Sequence, residues 1–232
     1  MNKIADSISA ALGETRHGAT VMVGGFGTAG VPEELIEGLL AQGSSGLTVI
    51  CNNAGNGDTG LAALLKAGRV NKIICSFPRA ADSWVFDDLY RAGKIDLELV
   101  PQGNLAERIR AAGAGIGAFF CPTGAGTTLA KGKETRVIDG RTYVLEMPLH
   151  ADLTFVKAER GDLWGNLVYR KAARNFGPIM ATAAKRTVAS VYEIVPLGEL
   201  DPESIVTPGI FVSQVVRVAR RATRAVGNKR HG

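Results

Sequence analysis

The sequence predicts an α/β fold, a single domain with a mostly parallel sheet flanked by helices and a mixed-sheet second half. Roughly the first hundred residues alternate short β-branched runs with amphipathic stretches at helical spacing. No internal repeat or low-complexity linker interrupts the chain, and its 232 residues suffice for one large domain. From residue 113 onward, small residues and an Asp-Gly turn replace the alternation, and this predicts the change in sheet type.

The opening unit is predicted to be helix, strand, glycine loop and helix. Residues 3–15 carry apolar side chains on one face, as an amphipathic helix does. Residues 19–23 form an apolar run typical of a buried strand. The sequence GGFGTAG follows at residues 24–30, here called the glycine loop, and Pro32 then suits the first turn of a helix. Such a loop presents backbone N–H groups that a phosphate or a carbonyl oxygen can approach closely.

The alternation of strand and helix then repeats three times. Further strands are predicted at residues 47–51, 72–76 and 96–100, and helices at residues 58–67, 81–92 and 104–112. Strands separated by helices imply parallel pairing through right-handed crossovers, with ligands bound beyond the carboxyl ends of the strands. The loops expected at that edge are residues 24–30, 52–58, 76–79 and 101–104. Three of these four loops are rich in glycine or side-chain amides, which suits an oxyanion or a carbonyl, although such residues are also ordinary in turns.

The second half of the chain is predicted to contain more β-structure than helix. Residues 136–145 indicate a hairpin over the Asp139-Gly140 turn. Residues 152–157 and 187–195 indicate strands, and residues 174–184 a helix around a proline.

The net charge of +5 is concentrated at the C-terminus. Six of the 27 basic residues lie beyond Ser213, where there is no acidic residue, so the remaining 21 face 22 acidic residues. The body is therefore nearly neutral, and nucleic acid is not an expected partner. The interpretation is a domain at residues 1–216 and a basic tail at 217–232, with a solvated, fraying helix from Ser213 onward.

The composition also indicates the cellular compartment and argues against a membrane segment, a disulfide and a metal site. No apolar run approaches the roughly 20 residues of a membrane span, and the N-terminus lacks the layout of a secretory signal. Cys51, Cys75 and Cys121 are far apart, without a C-x-x-C pair, and the histidines are scattered. We therefore expect a cytoplasmic protein with no membrane segment, no disulfide and no metal site.

The spacing Gly25-x-Gly27-x-x-Gly30 also fits the dinucleotide-binding fingerprint. That fingerprint requires an acidic residue about 20 positions later, at the end of the second strand, to bind a ribose. Asn52 and Asn53 stand there instead. A nicotinamide-dependent dehydrogenase is therefore disfavoured, and a tight turn that binds no ligand remains an alternative.

Longer stretches resemble the alpha (A) subunits of 3-oxoacid CoA-transferases. The likeness begins with HGATVMVGGFGTAGVP at residues 17–32. It continues at residues 101–110, 113–126 and 157–169, and covers the chain to about Val216. Within the family, residues 53–60 and 75–79 are similar to the 3-oxoadipate branch rather than the acetoacetate branch.

The resemblance implies transfer of CoA from succinyl-CoA to a 3-oxo acid through a glutamyl-CoA thioester, which is covalent catalysis by a carboxylate. In two-chain members the glutamate belongs to the beta (B) subunit, in a Glu-Asn-Gly type of motif. No Glu precedes Asn in this chain, and its only Glu-Gly pair, Glu37-Gly38, lies inside a predicted helix. The resemblance therefore implies a B-subunit partner in an α2β2 heterotetramer, a CoA thioester as substrate and no tightly bound cofactor.

The resemblance also implies roles for particular residues. Gln102 and Gly103 would support an oxyanion opposite the partner's glutamate. The expected contacts to CoA or its acyl group are Gly24, Gly25, Phe26, Gly27, Thr28, Ala29 and Gly30. Asn52, Asn53 and Asn56 would assist at the substrate. Arg79 is added on chemical grounds, because a guanidinium suits the second carboxylate of a dicarboxylic acceptor, although a solvated loop arginine is an equally simple interpretation.

Two alternatives remain open at this point. One is the corresponding subunit of a succinyl-CoA:acetoacetate transferase, which acceptor specificity would separate from the 3-oxoadipate type. The other is a non-enzymatic ligand-sensing domain of related fold, which the lack of a DNA-binding helix-turn-helix extension disfavours.

Overall fold

The computed structural model describes residues 2–80 and 82–220, and within them a nine-stranded, mostly parallel sheet forms the framework. The strands are β1 Ile4–Ala5, β2 Thr20–Val23, β3 Leu47–Asn53, β4 Val70–Phe77, β5 Asp96–Leu99, β6 Phe119–Cys121, β7 Thr135–Ile138, β8 Arg141–Glu146, β9 Ala151–Asp162, β10 Leu167–Val168, β11 Ala184–Val195 and β12 Gln214–Arg217. The helices are α1 Ile8–Leu12, α2 Glu33–Gln42, α3 Leu61–Lys66, α4 Trp84–Arg91, α5 Gln102–Gly113 and α6 Gly177–Thr182.

The main sheet runs in the order β1-β12-β11-β9-β2-β3-β4-β5. All neighbours along this path pair in parallel, and of the strands in the described residues only β10 joins in antiparallel fashion, against β9. A separate antiparallel sheet has the order β6-β8-β7. The predicted fold class is confirmed, with the mixed pairing of the second half confined to β10 and this small sheet.

Both faces of the main sheet are buried, because successive side chains of a strand point to opposite faces. Along β2, Val21 and Val23 pack with the buried residues of α1, α2, α3 and α4. Met22, between them, packs instead with α5 and α6. This two-sided burial is why the central strands are continuous apolar runs rather than alternating ones.

The predicted hairpin is confirmed, with β7 and β8 joined at Asp139 and Gly140. Both residues have positive φ, 47° and 76°, as a two-residue hairpin turn of the primed type requires. Because aspartate and glycine tolerate that conformation better than other residues, the dipeptide was a reliable signal.

Two predictions at the ends of the chain were wrong. Residues 3–15 hold the short strand β1 before α1, since Ile4 pairs with Val215. The helix expected from Ser213 onward is instead strand β12 over Gln214–Arg217, inserted between β1 and β11. Residues 221–232, most of the predicted tail, lie outside the described residues, and the division at residue 216 stays a prediction.

Candidate functional site

Four loops meet at the carboxyl edge of neighbouring strands. The register aligns Met22 with Ile50, Cys51 with Cys75, and Cys75 with Leu99, so β2, β3, β4 and β5 end side by side. The predicted rim is therefore one contiguous surface, at the edge where open parallel sheets bind ligands.

The glycine loop after β2 folds into a small hairpin. Phe26 and Ala29 exchange two backbone hydrogen bonds of 3.0 Å each. Below them, the Gly24 N–H donates to the Phe155 carbonyl at 2.9 Å, and the Gly25 N–H donates to Asn175 Oδ1 at 3.1 Å. Four of the loop's amides are thus already bonded to protein acceptors, and they give the loop a defined shape.

Two of the remaining amides, those of Gly27 and Thr28, lie at the tip of the hairpin, and the third, that of Gly30, follows its closing residue Ala29. Within residues 2–80 and 82–220, the N–H groups of Gly27, Thr28 and Gly30 donate no hydrogen bond. Gly27 and Thr28 are exposed, and the Phe26 ring beside them is 49% exposed. The tip therefore offers backbone donors next to an apolar ring, a combination suited to a carbonyl group with an alkyl chain.

Gln102 and Asn52, which the sequence singled out separately, are in direct contact. The Gln102 Nε2 donates to Asn52 Oδ1 at 3.0 Å, and Ser76 Oγ donates to the same oxygen at 3.0 Å. Asn52 is 5% exposed, whereas Gln102 is exposed at the edge. A buried asparagine thus orients an exposed amide, whose second N–H is available to a ligand.

The position of Gln102 and Gly103 adds a helix terminus to the site. Both lie in the first turn of α5, before its first intrahelical bond from Leu105 N to Pro101 O at 2.8 Å. No acidic residue occupies that turn, and no side chain among residues 2–80 and 82–220 caps it. Negative charge near this end is therefore favoured by the helix dipole and by the side-chain amide of Gln102 together.

The other predicted substrate residues are more dispersed. Asn53 Oδ1 accepts a 3.1 Å hydrogen bond from the Gly55 N–H, which is a local turn contact. Asn56 Oδ1 is buried without a hydrogen-bond partner among the described residues. Arg79 forms a 2.6 Å ion pair with Asp87 of α4, and its guanidinium lies 5.9 Å from the Tyr90 ring centre.

Buried charges attach the small sheet to α5. Glu146 at the end of β8 is 3% exposed, and its Oε1 accepts from Asn104 Nδ2 at 3.1 Å and from Lys133 Nζ at 2.8 Å. Arg108 lies 3.7 Å from Glu146 and forms a 2.9 Å ion pair with Glu98 of β5. Although burial raises the pKa of Glu98, hydrogen bonds from Lys72 and Arg108 outweigh it and lower the pKa.

Two residues that contact the predicted site were given no role from the sequence, although Ser76 was within the predicted rim. Ser76 follows Cys75 in β4, so it lies beside Asn52 in the sheet, and strand register would have indicated it. Asn175 bonds to Gly25 across 150 residues of sequence, and no periodic pattern marks such a contact.

Other kinds of site are not found in the described part of the chain. No group of three or more His, Cys, Asp and Glu side chains there could hold a metal ion. None of the helices there has the length and apolar character needed to cross a bilayer. The thiols of Cys51 and Cys75 are buried on adjacent strands, and burial raises the pKa of Cys75 to about 12, which makes it a poor nucleophile.

The chain matches a family model and named relatives over nearly its whole length. Residues 5–218 match the family model described as coenzyme A transferase. The chain is 67% identical over 226 residues to the A subunit of the 3-oxoadipate CoA-transferase of Pseudomonas putida, covering 97% of this chain and 98% of that protein. It is 47% identical over 224 residues to the A subunit of a probable succinyl-CoA:3-ketoacid coenzyme A transferase of Bacillus subtilis, covering 97% and 93%.

The fold has solved relatives as well. An acyl-CoA transferase from Escherichia coli O157:H7, solved as a thioester complex with CoA, superposes with a TM-score of 0.81 at 22% identity. The match covers 94% of this chain and 47% of that one, and at this identity it shows the fold alone. Because the family model spans nearly the whole chain and the relatives are aligned end to end, the chain belongs to the coenzyme A transferase family.

Proposed function

We propose that this chain is the A subunit of a two-subunit enzyme that transfers CoA from succinyl-CoA to 3-oxoadipate. Two comparisons support this acceptor over acetoacetate, since identity is 67% to the 3-oxoadipate relative and 47% to the succinyl-CoA:3-ketoacid one. The observation that carries the catalytic part is the Gln102 amide, held by Asn52 at the uncapped first turn of α5.

The reaction requires a carboxylate nucleophile, for which the B subunit is the proposed source. Its glutamate attacks the thioester carbonyl of succinyl-CoA, and the CoA thiolate leaves as an acyl-glutamyl anhydride forms. The thiolate then attacks the glutamyl carbonyl, which releases succinate and leaves a glutamyl-CoA thioester. The acceptor carboxylate repeats the two steps in reverse, so that 3-oxoadipyl-CoA is released and the free glutamate is restored.

Each acyl transfer passes through a tetrahedral intermediate that carries an oxyanion. The free N–H of the Gln102 side chain and the backbone amides that begin α5 are the proposed donors to it. They lie beside β3 and β4 at the carboxyl edge, where a glutamate of the other subunit can reach them. With 3-oxoadipate as the acceptor, the proposed place of the enzyme is in bacterial catabolism of aromatic compounds.

The glycine loop is the proposed contact for the thioester end of CoA. Its free amides, at Gly27, Thr28 and Gly30, are neutral donors suited to a carbonyl or an amide of the pantetheine arm. The first turn of α2 already carries Glu33 and Glu34. The charge of Glu34 is met by Lys157, whose Nζ donates to both carboxylate oxygens at 3.0 Å, so the proposal of a neutral ligand rests on the loop's amides.

The acceptor's second carboxylate has Arg79 as its proposed partner. The two stretches similar to the 3-oxoadipate branch are residues 53–60 and 75–79; they begin on paired strands, with Asn53 opposite Phe77, and Arg79 ends the second one. The Gly57 N–H donates to the Asp82 carbonyl at 2.7 Å, and Ser83 Oγ donates to the Gly55 carbonyl at 2.8 Å. Arg79 would exchange its ion pair with Asp87 for the substrate carboxylate.

The proposal is tested by measuring CoA transfer from succinyl-CoA with the chain alone and with its co-expressed partner subunit, using 3-oxoadipate and acetoacetate as acceptors. We expect activity only in the mixture, and a preference for 3-oxoadipate. Activity of the isolated chain would contradict a nucleophile on the partner, and preference for acetoacetate would contradict the acceptor.

The role of Gln102 is tested in the same assay with Gln102→Ala. Loss of one preorganised oxyanion donor costs about 100-fold in kcat, with little change in KM. Gln42→Ala is the matched control, because Gln42 ends α2 and its amide bonds to the Gly13 carbonyl, away from the carboxyl edge. A decrease of less than about threefold for Gln102→Ala, or an equal decrease in the control, would reject the assignment.

A further inference from the structure

Asn175 contacts both ends of the hairpin in the glycine loop. Its Oδ1 accepts from the Gly25 N–H at 3.1 Å, at the start of the hairpin. Its Nδ2 donates to the Ala29 carbonyl at 3.0 Å, at the end of the hairpin. One side chain therefore fixes the distance between the two arms of a loop that lies about 150 residues earlier in the sequence.

Residues close to Asn175 in the sequence also bond to its side-chain amide. Asn175 Oδ1 also accepts from the Phe176 N–H at 2.7 Å, and Nδ2 also donates to the Ala172 carbonyl at 2.7 Å. All four of its hydrogen bonds use backbone partners, so the side chain has little freedom to rotate. An amide is required here, because the site presents two N–H donors to one side and two carbonyl acceptors to the other.

The segment that carries Asn175 is packed against the loop at close range. A Cβ added to Gly30 would lie 2.6 Å from the Ala173 carbonyl oxygen, and Gly30 has a φ of 68°. At the base of the loop, a Cβ on Gly24 would lie 3.6 Å from the Cα of Gly177. Glycine is therefore needed at Gly30 both for its conformation and for this contact.

The residues that follow Asn175 are part of the buried core. Phe176, which follows it, is 6% exposed, and Met180 of α6 is fully buried in the same cluster as Met22 of β2. The strand that precedes the loop and the helix that follows Asn175 thus share one core. Movement of the loop relative to Asn175 would require repacking of that core or loss of the two hydrogen bonds to Gly25 and Ala29.

We propose that Asn175 is a positioning residue, which clamps the glycine hairpin so that its free amides face the CoA thioester. The proposal rests on the proposed function of the loop in binding that thioester. Asn175 itself donates nothing to substrate, since all of its polar capacity is used within the protein. Its effect is exerted through Gly25 and Ala29, and it should appear in the binding of the CoA substrate rather than in the chemical step.

The test uses Asn175→Ala and Asn175→Asp in the complex of the chain with its partner. Asn175→Asp keeps the acceptor for the Gly25 N–H but directs a carboxylate at the Ala29 and Ala172 carbonyl oxygens, so it disrupts the clamp with little change in side-chain volume. Asn166→Ala is the matched control, because Asn166 also bonds to distant backbone, at the Gly209 N–H, but in the turn between β9 and β10.

Hydrogen exchange and steady-state kinetics test the proposed role of Asn175. Hydrogen exchange of the loop's four bonded amides, at Gly24, Gly25, Phe26 and Ala29, should become about tenfold faster in both Asn175 variants, and should be unchanged in Asn166→Ala. The KM for succinyl-CoA should rise about tenfold, with kcat lowered less than threefold and KM for the acceptor unchanged.

The outcomes separate the clamp from the proposed function. Unchanged exchange in the loop would overturn the clamp, whatever the kinetics show. Faster exchange with an unchanged KM for succinyl-CoA would overturn the link between the loop and the CoA substrate. If the wild-type complex transfers no CoA at all, the proposed function fails, while the exchange measurement still tests the clamp.

Discussion

Replacing Glu146 by glutamine should destabilise the protein far more than replacing an exposed glutamate nearby. Glu146 is 3% exposed and lies within 4 Å of two cations, Lys133 at 2.8 Å and Arg108 at 3.7 Å. Loss of one partner from a buried ion pair usually costs about 3–5 kcal/mol, because the other charge is left unpaired in a poorly solvated place.

The expected cost is smaller here for two structural reasons. The Lys133 side chain is 36% exposed, so water can solvate its ammonium when the carboxylate is removed. Arg108 keeps its 2.9 Å ion pair with Glu98, and glutamine can still accept the hydrogen bond from Asn104. We therefore expect Glu146→Gln to lower the free energy of unfolding by about 2 kcal/mol.

Glu134→Gln provides the matched control from the start of the same small sheet. Glu134 is 52% exposed and forms a 3.1 Å ion pair with the 61% exposed Arg136. The loss of an exposed pair of this kind should cost less than about 0.5 kcal/mol. Urea unfolding followed by tryptophan fluorescence measures both variants, with stability read from the midpoint at constant slope. Equal midpoints for the two variants would refute the inference that burial makes the Glu146 network important.

Three further predictions concern pH, site geometry and specificity. Backbone and side-chain hydrogen bonds, led by the Thr20 N–H, lower the pKa of Asp152 from 3.8 to about 2. Ionised Asp152 therefore contributes about 1 kcal/mol to the free energy of unfolding, after allowance for solvent screening; this is complete above about pH 4 and is lost between about pH 4 and 2. In acid titration, the stability of Asp152→Asn should depend less on pH over that range than the stability of the unchanged protein does. An equal pH dependence would contradict the lowered pKa of Asp152. Ser76→Ala should lower kcat by about tenfold or less, and by less than Gln102→Ala does, because it removes only one of the two donors to Asn52 Oδ1. A larger decrease in kcat than for Gln102→Ala would show that Ser76 contacts the substrate directly. Arg79→Ala should raise the KM for 3-oxoadipate about tenfold while leaving that for succinyl-CoA unchanged, as steady-state kinetics with both substrates would show, and equal changes would reject its assignment to the acceptor.

Local elements were predicted well where a strand or a helix carries its own pattern. The apolar runs at residues 47–51 and 72–76 are parts of β3 and β4, and the Asp139-Gly140 turn joins β7 to β8. The glycine loop was correctly placed between β2 and α2. Apolar periodicity and turn chemistry are short-range properties, so they can be interpreted without knowing the partners.

Two helices begin at residues other than those predicted from the sequence. Helix α3 begins at Leu61 rather than residue 58, because residues 55–57 bond to Asp82 and Ser83 of the next loop. Helix α5 begins at Gln102, two residues earlier than expected. That difference matters for the site, because it places Gln102 and Gly103 in the first turn of the helix rather than in a loop before it.

The sequence by itself determined the fold class, the glycine loop, the family and the chemical nature of the rim. It also identified Gln102 and Asn52, but not that they touch. Tertiary structure alone decided that β9 lies beside β2, that β12 completes the sheet next to β1, and that Asn175 holds the glycine loop. The physical reason is that these arrangements depend on hydrogen bonds to backbone groups far away in the chain, and nearly every residue carries the same backbone donor and acceptor. A single sequence therefore shows which segments can pair, whereas the folded core selects the partners.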